Sequence, residues 1–278
     1  MERKCYPTPK GTICYWVNEE AGEGPTLVFL PGLTADRRLF APQLAYFAKK
    51  YRCLVWDAPG HGASRPFALD FTLMDAANWL YAILEREQAA PFYLVGQSMG
   101  GYVAQCLMEA HPGTAGGFMA IDSAPLQRRY VTALELWLLR HCEPVYRLYP
   151  WARLCRDGAR GCAVTEEGRR NMAEMMAEYT KEEYCRLAGH GFRMLAQAMA
   201  ADRPYRIDCP ALLLCGMEDR AGSARRYNQA WARETGLTLV WIEGAGHNAT
   251  VDRPETVNRA LEAFVASAEA ERMRRGVR

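Results

Sequence analysis

Ser98, Asp219 and His247 are the side chains whose types and surroundings could together carry out nucleophilic acyl transfer. A serine hydroxyl is a weak nucleophile near neutral pH. It needs a base to take its proton and a third group to orient that base. Ser98 lies in Gly96-Gln97-Ser98-Met99-Gly100-Gly101, between the apolar run Phe92-Tyr93-Leu94-Val95 and the helix-like run Tyr102 to Met108. That context reads as strand, sharp turn, helix: the G-x-S-x-G elbow, in which the flanking glycines remove side chains that would clash. Such a turn lifts the hydroxyl off the sheet and aims a helix N-terminus at the group it attacks. His247 sits in Gly244-Ala245-Gly246-His247-Asn248, a loop after the apolar run ending at Ile242, from which an imidazole can reach the serine. Asp219 ends Leu214-Cys215-Gly216-Met217-Glu218-Asp219, at the close of another strand-like run, and is the first candidate for the orienting acid. Asp122, after the strand that follows the elbow helix, and Glu218 are the competing carboxylates. A developing oxyanion needs donors. One is the backbone N–H of Met99, directly after the serine. The other is assigned to Leu33, in Leu30-Pro31-Gly32-Leu33, where Gly32 allows close backbone approach.

The elements that must hold these residues alternate. Ile13, Tyr15 and Val17 read as a half-exposed strand, and Gly22 to Pro25 as a turn. Thr26–Leu30 and Arg52–Trp56 are continuous apolar runs, which suit a parallel sheet covered on both faces. Phe40, Leu44 and Phe47 fall at helical spacing. Leu73 to Glu87 predicts a helix capped by Asp70 or Thr72, and a helix from Met99 to about His111 precedes the strand Gly117–Ile121. The alternation stops near Pro125. From there to about Arg206 only helical runs occur (Tyr130–Cys142, Thr165–Glu178, Lys181–Ala200), broken by Pro144, Pro150 and Gly158. It resumes with the strand Ala211–Cys215, a helix over Ala224–Glu234, the strand Thr238–Ile242 and a closing helix from Pro254. The expected class is α/β: a mostly parallel sheet with helices on both faces, core segments 1–125 and 207–278, and an all-helical insertion at 126–206.

A chain of 278 residues, half of them hydrophobic, can bury one large core or a core with an insert. The net charge of +2 gives no sign of a nucleic-acid partner. The ten cysteines are scattered without C-x-x-C, several inside apolar runs such as Cys53, Cys106 and Cys215. This points to buried free thiols in a reducing compartment. The N-terminus has no apolar signal region and no stretch is long enough to span a bilayer, so a cytoplasmic protein is expected. None of the five histidines has metal-ligand spacing, and neither a metal nor an organic cofactor is expected. His111 reads as a helix-end cap, and Arg272 to Arg278 as a solvated helix end.

Five motifs together carry a resemblance: Leu30-Pro31-Gly32-Leu33, Asp57-Ala58-Pro59-Gly60-His61-Gly62, Gly96 to Gly101, Gly216-Met217-Glu218-Asp219 and Gly246-His247. In them the chain resembles the α/β-hydrolase superfamily, in the serine-nucleophile group with a helical cap between the sixth and seventh core strands. The resemblance implies the order Ser98, Asp219, His247 for a catalytic triad, an oxyanion hole at Leu33 and Met99, and a structural role for Asp57 and His61. It also implies hydrolysis of an ester or thioester of a small, mainly apolar organic acid through an acyl-enzyme on Ser98. Pro31 stands where many relatives carry His, which leaves the backbone donor intact. Ser98 argues against epoxide hydrolases and dehalogenases, which use a carboxylate nucleophile. Two alternatives stay open. One is a C–C bond hydrolase or lyase of the same fold, including the menaquinone-pathway synthase, which typically has Arg where this chain has Tyr102. The other is a hydrolase-like receptor that keeps a triad for ligand capture. Substrate choice is expected to come from the insertion, through some of Leu134, Trp137, Leu138, Tyr146, Trp151, Met172, Met175, Met176, Phe192 and Met194. Arg128, Arg129 and Arg193 are candidates to clamp a carboxylate.

Overall fold

The computed structural model describes residues 1–18, 24–274 and 276. The expected turn at Gly22–Pro25 begins outside these residues, and Arg275, Val277 and Arg278 of the basic tail also lie outside them. The chain opens with β1 (Glu2–Thr8) and β2 (Gly11–Val17), followed by β3 (Thr26–Leu30), α1 (Ala41–Phe47), β4 (Arg52–Trp56), α2 (Leu73–Arg86) and β5 (Phe92–Gln97). Next come α3 (Met99–Ala110) and β6 (Ala115–Ile121), then five helices: α4 (Ala133–His141), α5 (Glu143–Leu148), α6 (Trp151–Cys162), α7 (Glu166–Ala177) and α8 (Lys181–Ala201). The chain closes with β7 (Ala211–Gly216), α9 (Ala224–Thr235), β8 (Thr238–Ile242), α10 (Ala249–Asp252) and α11 (Pro254–Arg274).

All eight strands form one sheet, in the order β1-β2-β4-β3-β5-β6-β7-β8. β2 runs antiparallel to both β1 and β4, and the six strands β4, β3, β5, β6, β7 and β8 are parallel. The continuous apolar runs follow from burial on both faces. Val28, Leu30, Leu54 and Leu94 pack into one core with α2 and α3. The alternate residues Leu27, Phe29, Val55 and Val95 pack into a second core with α1 and α11. Each such side chain contributes about 1.5–3 kcal/mol of burial. Thr72, not Asp70, caps α2: its hydroxyl accepts from the Asp75 N–H and the Asp75 carboxylate answers on the Thr72 N–H.

The strand expected to be half-exposed, β2, is mostly buried, with Ile13, Cys14, Tyr15 and Val17 all inside. β1, for which the sequence offers no strand, lies on the sheet edge and is largely exposed, so the apolar signal that would have marked it is missing. Pro144 and Pro150 fall at breaks between helices, as expected, and each stands at the start of the next helix. Pro144 lies in the first turn of α5 and Pro150 caps α6. Gly158 lies inside α6, where a Cβ would come within 3.0 Å of the Met176 methyl, so it permits close packing against α7. The block of five helices buries Met172, Met175, Met176 and Tyr184 in a third core, which also takes in Ala35 and Leu39 after β3 and Val251 on α10. Leu134, Trp137 and Leu138 of α4 lie instead on an exposed face, each at least half exposed.

Candidate active site

Parallel strands bring their carboxyl ends to one edge of the sheet, where ligands of such sheets gather. Ser98 directly follows β5, Asp122 follows β6, Asp219 lies three residues past β7, and His247 lies five past β8. The His247 Nε2 is 2.9 Å from the Ser98 Oγ, and its Nδ1 is 3.0 Å from the Asp219 Oδ2. The second Asp219 oxygen accepts the Ala221 N–H at 2.8 Å. Asp219 is buried and His247 nearly so, while Ser98 is partly open. Glu218 is exposed and turns its backbone N–H to the Ala245 carbonyl.

Ser98 occupies a backbone conformation with φ 49° and ψ −116°, in the left-handed half of φ space where side chains are strained. The surroundings over-determine it. Its N–H donates to the Ile121 carbonyl, and its own carbonyl accepts from the Gly101 N–H at 3.0 Å and from the Ser123 hydroxyl at 2.8 Å. A Cβ on Gly96 would lie 2.5 Å from the Gly101 nitrogen, and one on Gly100 would overlap the Leu30 carbonyl. Because both obstacles are backbone, Gly100→Ala is expected to cost about 3 kcal/mol or more, read as a Tm drop of roughly 6 °C or greater. A thermal melt matching that of the wild type would contradict the tight strand-to-helix contact.

The elbow places the Met99 N–H at the head of α3. Gly32 brings the opposite loop against it, since a Cβ there would come 3.0 Å from the Ser98 Cβ. Among the described residues, no hydrogen-bond acceptor is recorded for the N–H of Leu33 or of Met99. α8 lies over this loop, with Gly191 packed directly on the Leu33 side chain.

Burial opposes protonation of His247, but the Asp219 charge, the hydrogen bond to it and the more distant Asp122 outweigh burial and raise the imidazole above its ordinary value. Asp122 is driven well above the usual carboxylate range, first by burial and then by the Asp219 charge. Its two oxygens accept the Gly216 N–H at 2.7 Å and the Ala249 N–H at 3.2 Å, so it ties the loop bearing Asp219 to the loop bearing His247. Asp122, Cys215 and Asp219 place potential ligand atoms within 4.8 Å of one another, but both carboxylates already hold protein donors.

Two further residues hold the site together and carry no recognisable motif. Gln97, buried in the elbow itself, donates from Nε2 to the His247 carbonyl at 2.7 Å. Asp252, at the end of α10, accepts from Gly246 and from the chain between α6 and α7. Asp57 is buried, accepts the Arg37 and Ala63 N–H groups, and is pushed up to about 6 by burial. It thereby joins the loops after β3 and β4. The arginines considered for substrate all have protein partners: Arg128 the Val131 carbonyl, Arg129 the Glu234 carboxylate, and Arg193 the Glu143 carboxylate at 2.6 Å. His111 stacks on Tyr81 at 3.7 Å and meets the Asn78 side chain. All ten cysteines are free thiols, and no helix among the described residues is long and apolar enough to cross a membrane.

The model of the alpha/beta hydrolase family matches residues 27–260. The chain is similar to the (E)-2-((N-methylformamido)methylene)succinate hydrolase of Acinetobacter baylyi, at 26% identity over 88% of this chain and 92% of that protein. It is also similar to the 2-succinyl-6-hydroxy-2,4-cyclohexadiene-1-carboxylate synthase of Pectobacterium atrosepticum, at 26% identity over 87% and 94% respectively. Among solved structures, a hydrolase from Pseudomonas aeruginosa PA01 shares the fold with a TM-score of 0.78, at 18% identity, covering 95% of this chain and 98% of that one.

Proposed function

The chain belongs to the alpha/beta hydrolase family, and from that premise we propose that it is a serine hydrolase that cleaves an ester or thioester of a small, mainly apolar acid through an acyl-enzyme on Ser98. The observation that carries this reading is the unbroken hydrogen-bonded series from Ser98 Oγ through His247 to Asp219 at the carboxyl edge of the sheet. In the proposed reaction the His247 Nε2 takes the hydroxyl proton as the Ser98 Oγ adds to the substrate carbonyl. The resulting oxyanion is held by the Leu33 and Met99 N–H groups. The Asp219 carboxylate keeps the other imidazole proton on Nδ1 and stabilises the cation that forms. His247 then gives its proton to the leaving alcohol or thiol. Water, activated by the same imidazole, releases the acid and restores the serine. The helical block between β6 and β7, residues 126–206, acts as the cap and supplies selectivity, with its methionines packed in the core that seats it on the loop after β3 and on α10. The pairing of Arg128, Arg129 and Arg193 with protein groups favours an uncharged acyl group over a second carboxylate.

The test is labelling with a fluorophosphonate, followed by turnover of a panel of p-nitrophenyl esters, acyl thioesters and lactones. Steady turnover of an ester or thioester supports the reading. A single burst without turnover would make the protein a capture module, and labelling with no turnover of any panel member would move it to C–C bond chemistry. Because the raised imidazole must be neutral to act as base, kcat/KM should fall as pH drops, with an apparent pKa above 6.5. A pH–rate profile that stays flat down to pH 5 would remove His247 as the base.

A further inference from the structure

The carboxylate of Asp252 is buried at the end of α10, five residues after His247, and serves two parts of the chain at once. Oδ2 accepts the Gly246 N–H at 2.9 Å and the Val164 N–H at 3.1 Å. Oδ1 accepts the Thr165 N–H at 2.9 Å and the Thr165 hydroxyl at 2.5 Å. Gly246 directly precedes His247. Val164 and Thr165 join α6 to α7, and the Thr165 hydroxyl oxygen caps α7 by accepting from the Gly168 N–H. On the other side of the histidine, the Asn248 N–H donates to the Cys162 carbonyl at 2.8 Å. The residues before and after His247 are therefore both tied to one short connection in the helical block. Val251, on the same turn as Asp252, extends the tie into the apolar core of that block.

We propose that Asp252 is a positioning residue that couples the seating of the helical block to the placement of His247, so that the imidazole meets Ser98 only while the α6–α7 connection is docked. The inference rests on the reading of His247 as base and goes beyond it by making the block part of the catalytic geometry. The internal brace of the same loop is different. Arg253 donates to the Glu243 carbonyl, within its own loop. Among the hydrogen bonds of the described residues, those of Asp252 and the Asn248–Cys162 bond join the block to the chain around the histidine. A buried carboxylate suits this task because it accepts from several donors and donates to none. An asparagine replaces it only in part. With its oxygen on the Gly246 and Val164 N–H groups it keeps the bridge but turns its NH₂ on the Thr165 N–H; with its oxygen on Thr165 it turns its NH₂ on the Gly246 and Val164 donors and the bridge is broken. Either way a donor faces a donor and the tie is weakened.

The experiment compares wild type with Asp252→Asn, Asp252→Glu and Thr165→Val, all as the full chain. Hydrolysis of p-nitrophenyl acetate is measured alongside backbone amide exchange over residues 163–166 and 244–248. Exchange is followed both in these proteins and in a Ser98→Ala background. Asp252→Asn is expected to lower kcat by roughly 10- to 100-fold, as a displaced base does, with KM changed by less than ~3-fold. Exchange should quicken in both segments together. Asp252→Glu should recover part of the lost kcat, a recovery that simple damage to packing would not produce. Thr165→Val, which loses one of the four bonds to Asp252 together with the cap of α7, should show the same loosening at 244–248 as well as at 163–166, with a ~3-fold loss in kcat; the distant segment, which loss of the cap alone would not move, carries the test if Asp252→Asn does not fold. Loosening confined to one segment, or loosening of both with kcat unchanged, overturns the coupling. The exchange arm in the Ser98→Ala background needs no turnover. A failure of the proposed catalytic reading, seen as wild type that neither labels nor turns over, is thus told apart from a failure of the tie.

Discussion

Ser98→Ala is expected to lower kcat on a p-nitrophenyl ester by at least ~10⁴-fold and to abolish labelling by a fluorophosphonate. Alanine has no atom to form the acyl bond. What remains is whatever the oxyanion donors and the imidazole can do with water. Folding should be untouched, which makes the experiment clean. Alanine carries the same Cβ as serine, so the strained backbone at φ 49° costs the two residues alike. The bonds that hold the elbow come from the Ser98 N–H and carbonyl, and both survive the substitution. The measurement is burst and steady-state kinetics, probe labelling and a thermal melt on one preparation. Labelling that persists in the mutant would remove Ser98 as nucleophile. The neighbouring Ser123 would not take its place, because it is buried and its hydroxyl is committed to the Ser98 carbonyl.

The elbow is legible in sequence because its constraints fall at fixed spacing from the serine. Gly96 is needed by the backbone of Gly100 and Gly101, and Gly100 by the Leu30 carbonyl of the adjacent strand, so both are written into one hexapeptide. The central strands are legible for a related reason. β3, β4 and β5 are covered on both faces, and that burial forces unbroken apolar runs. β1 has no such pressure: as a mostly exposed edge strand it keeps charged residues and a proline. The prolines at 144 and 150 mark helix boundaries correctly but do not say on which side a helix lies, so α5 and α6 beyond them go unread. The exposed face of α4 misleads in another way, since Leu134, Trp137 and Leu138 have the spacing of a buried stripe yet no element covers them. Gln97 and Asp252 are invisible for a deeper reason. Each acts through contacts with residues far along the chain, Gln97 across 150 positions and Asp252 across 87 and 88, and nothing in the neighbouring sequence records the partner.

The choice of acid separates two carboxylates that both lie near His247. Asp219→Asn is expected to lower kcat by at least ~10²-fold with little change in folding stability. Asp219 is the residue that meets Nδ1, at 3.0 Å, and an asparagine of the same size can offer an N–H there in place of an acceptor. The imidazole would then carry its proton on Nε2, the nitrogen that must take the serine proton. The same change should move the acid limb of kcat/KM to lower pH, because the Asp219 charge and hydrogen bond are what raise the imidazole against the opposing effect of burial. Asp122→Asn is expected to cost less than ~10-fold. Asp122 meets no imidazole nitrogen; it holds the Gly216 and Ala249 N–H groups. Burial and the Asp219 charge favour its neutral form, which an asparagine resembles in size and charge. The amide can keep its oxygen on the Gly216 N–H at 2.7 Å and give up only the longer bond to Ala249. Both mutants should be assayed for kcat on one ester, with thermal unfolding alongside. If the two effects come out reversed, the working acid stands after β6 and Asp122 acts on the imidazole in a rearranged loop. If neither substitution matters, His247 works without a carboxylate partner, or the exposed Glu218 turns inward to serve it.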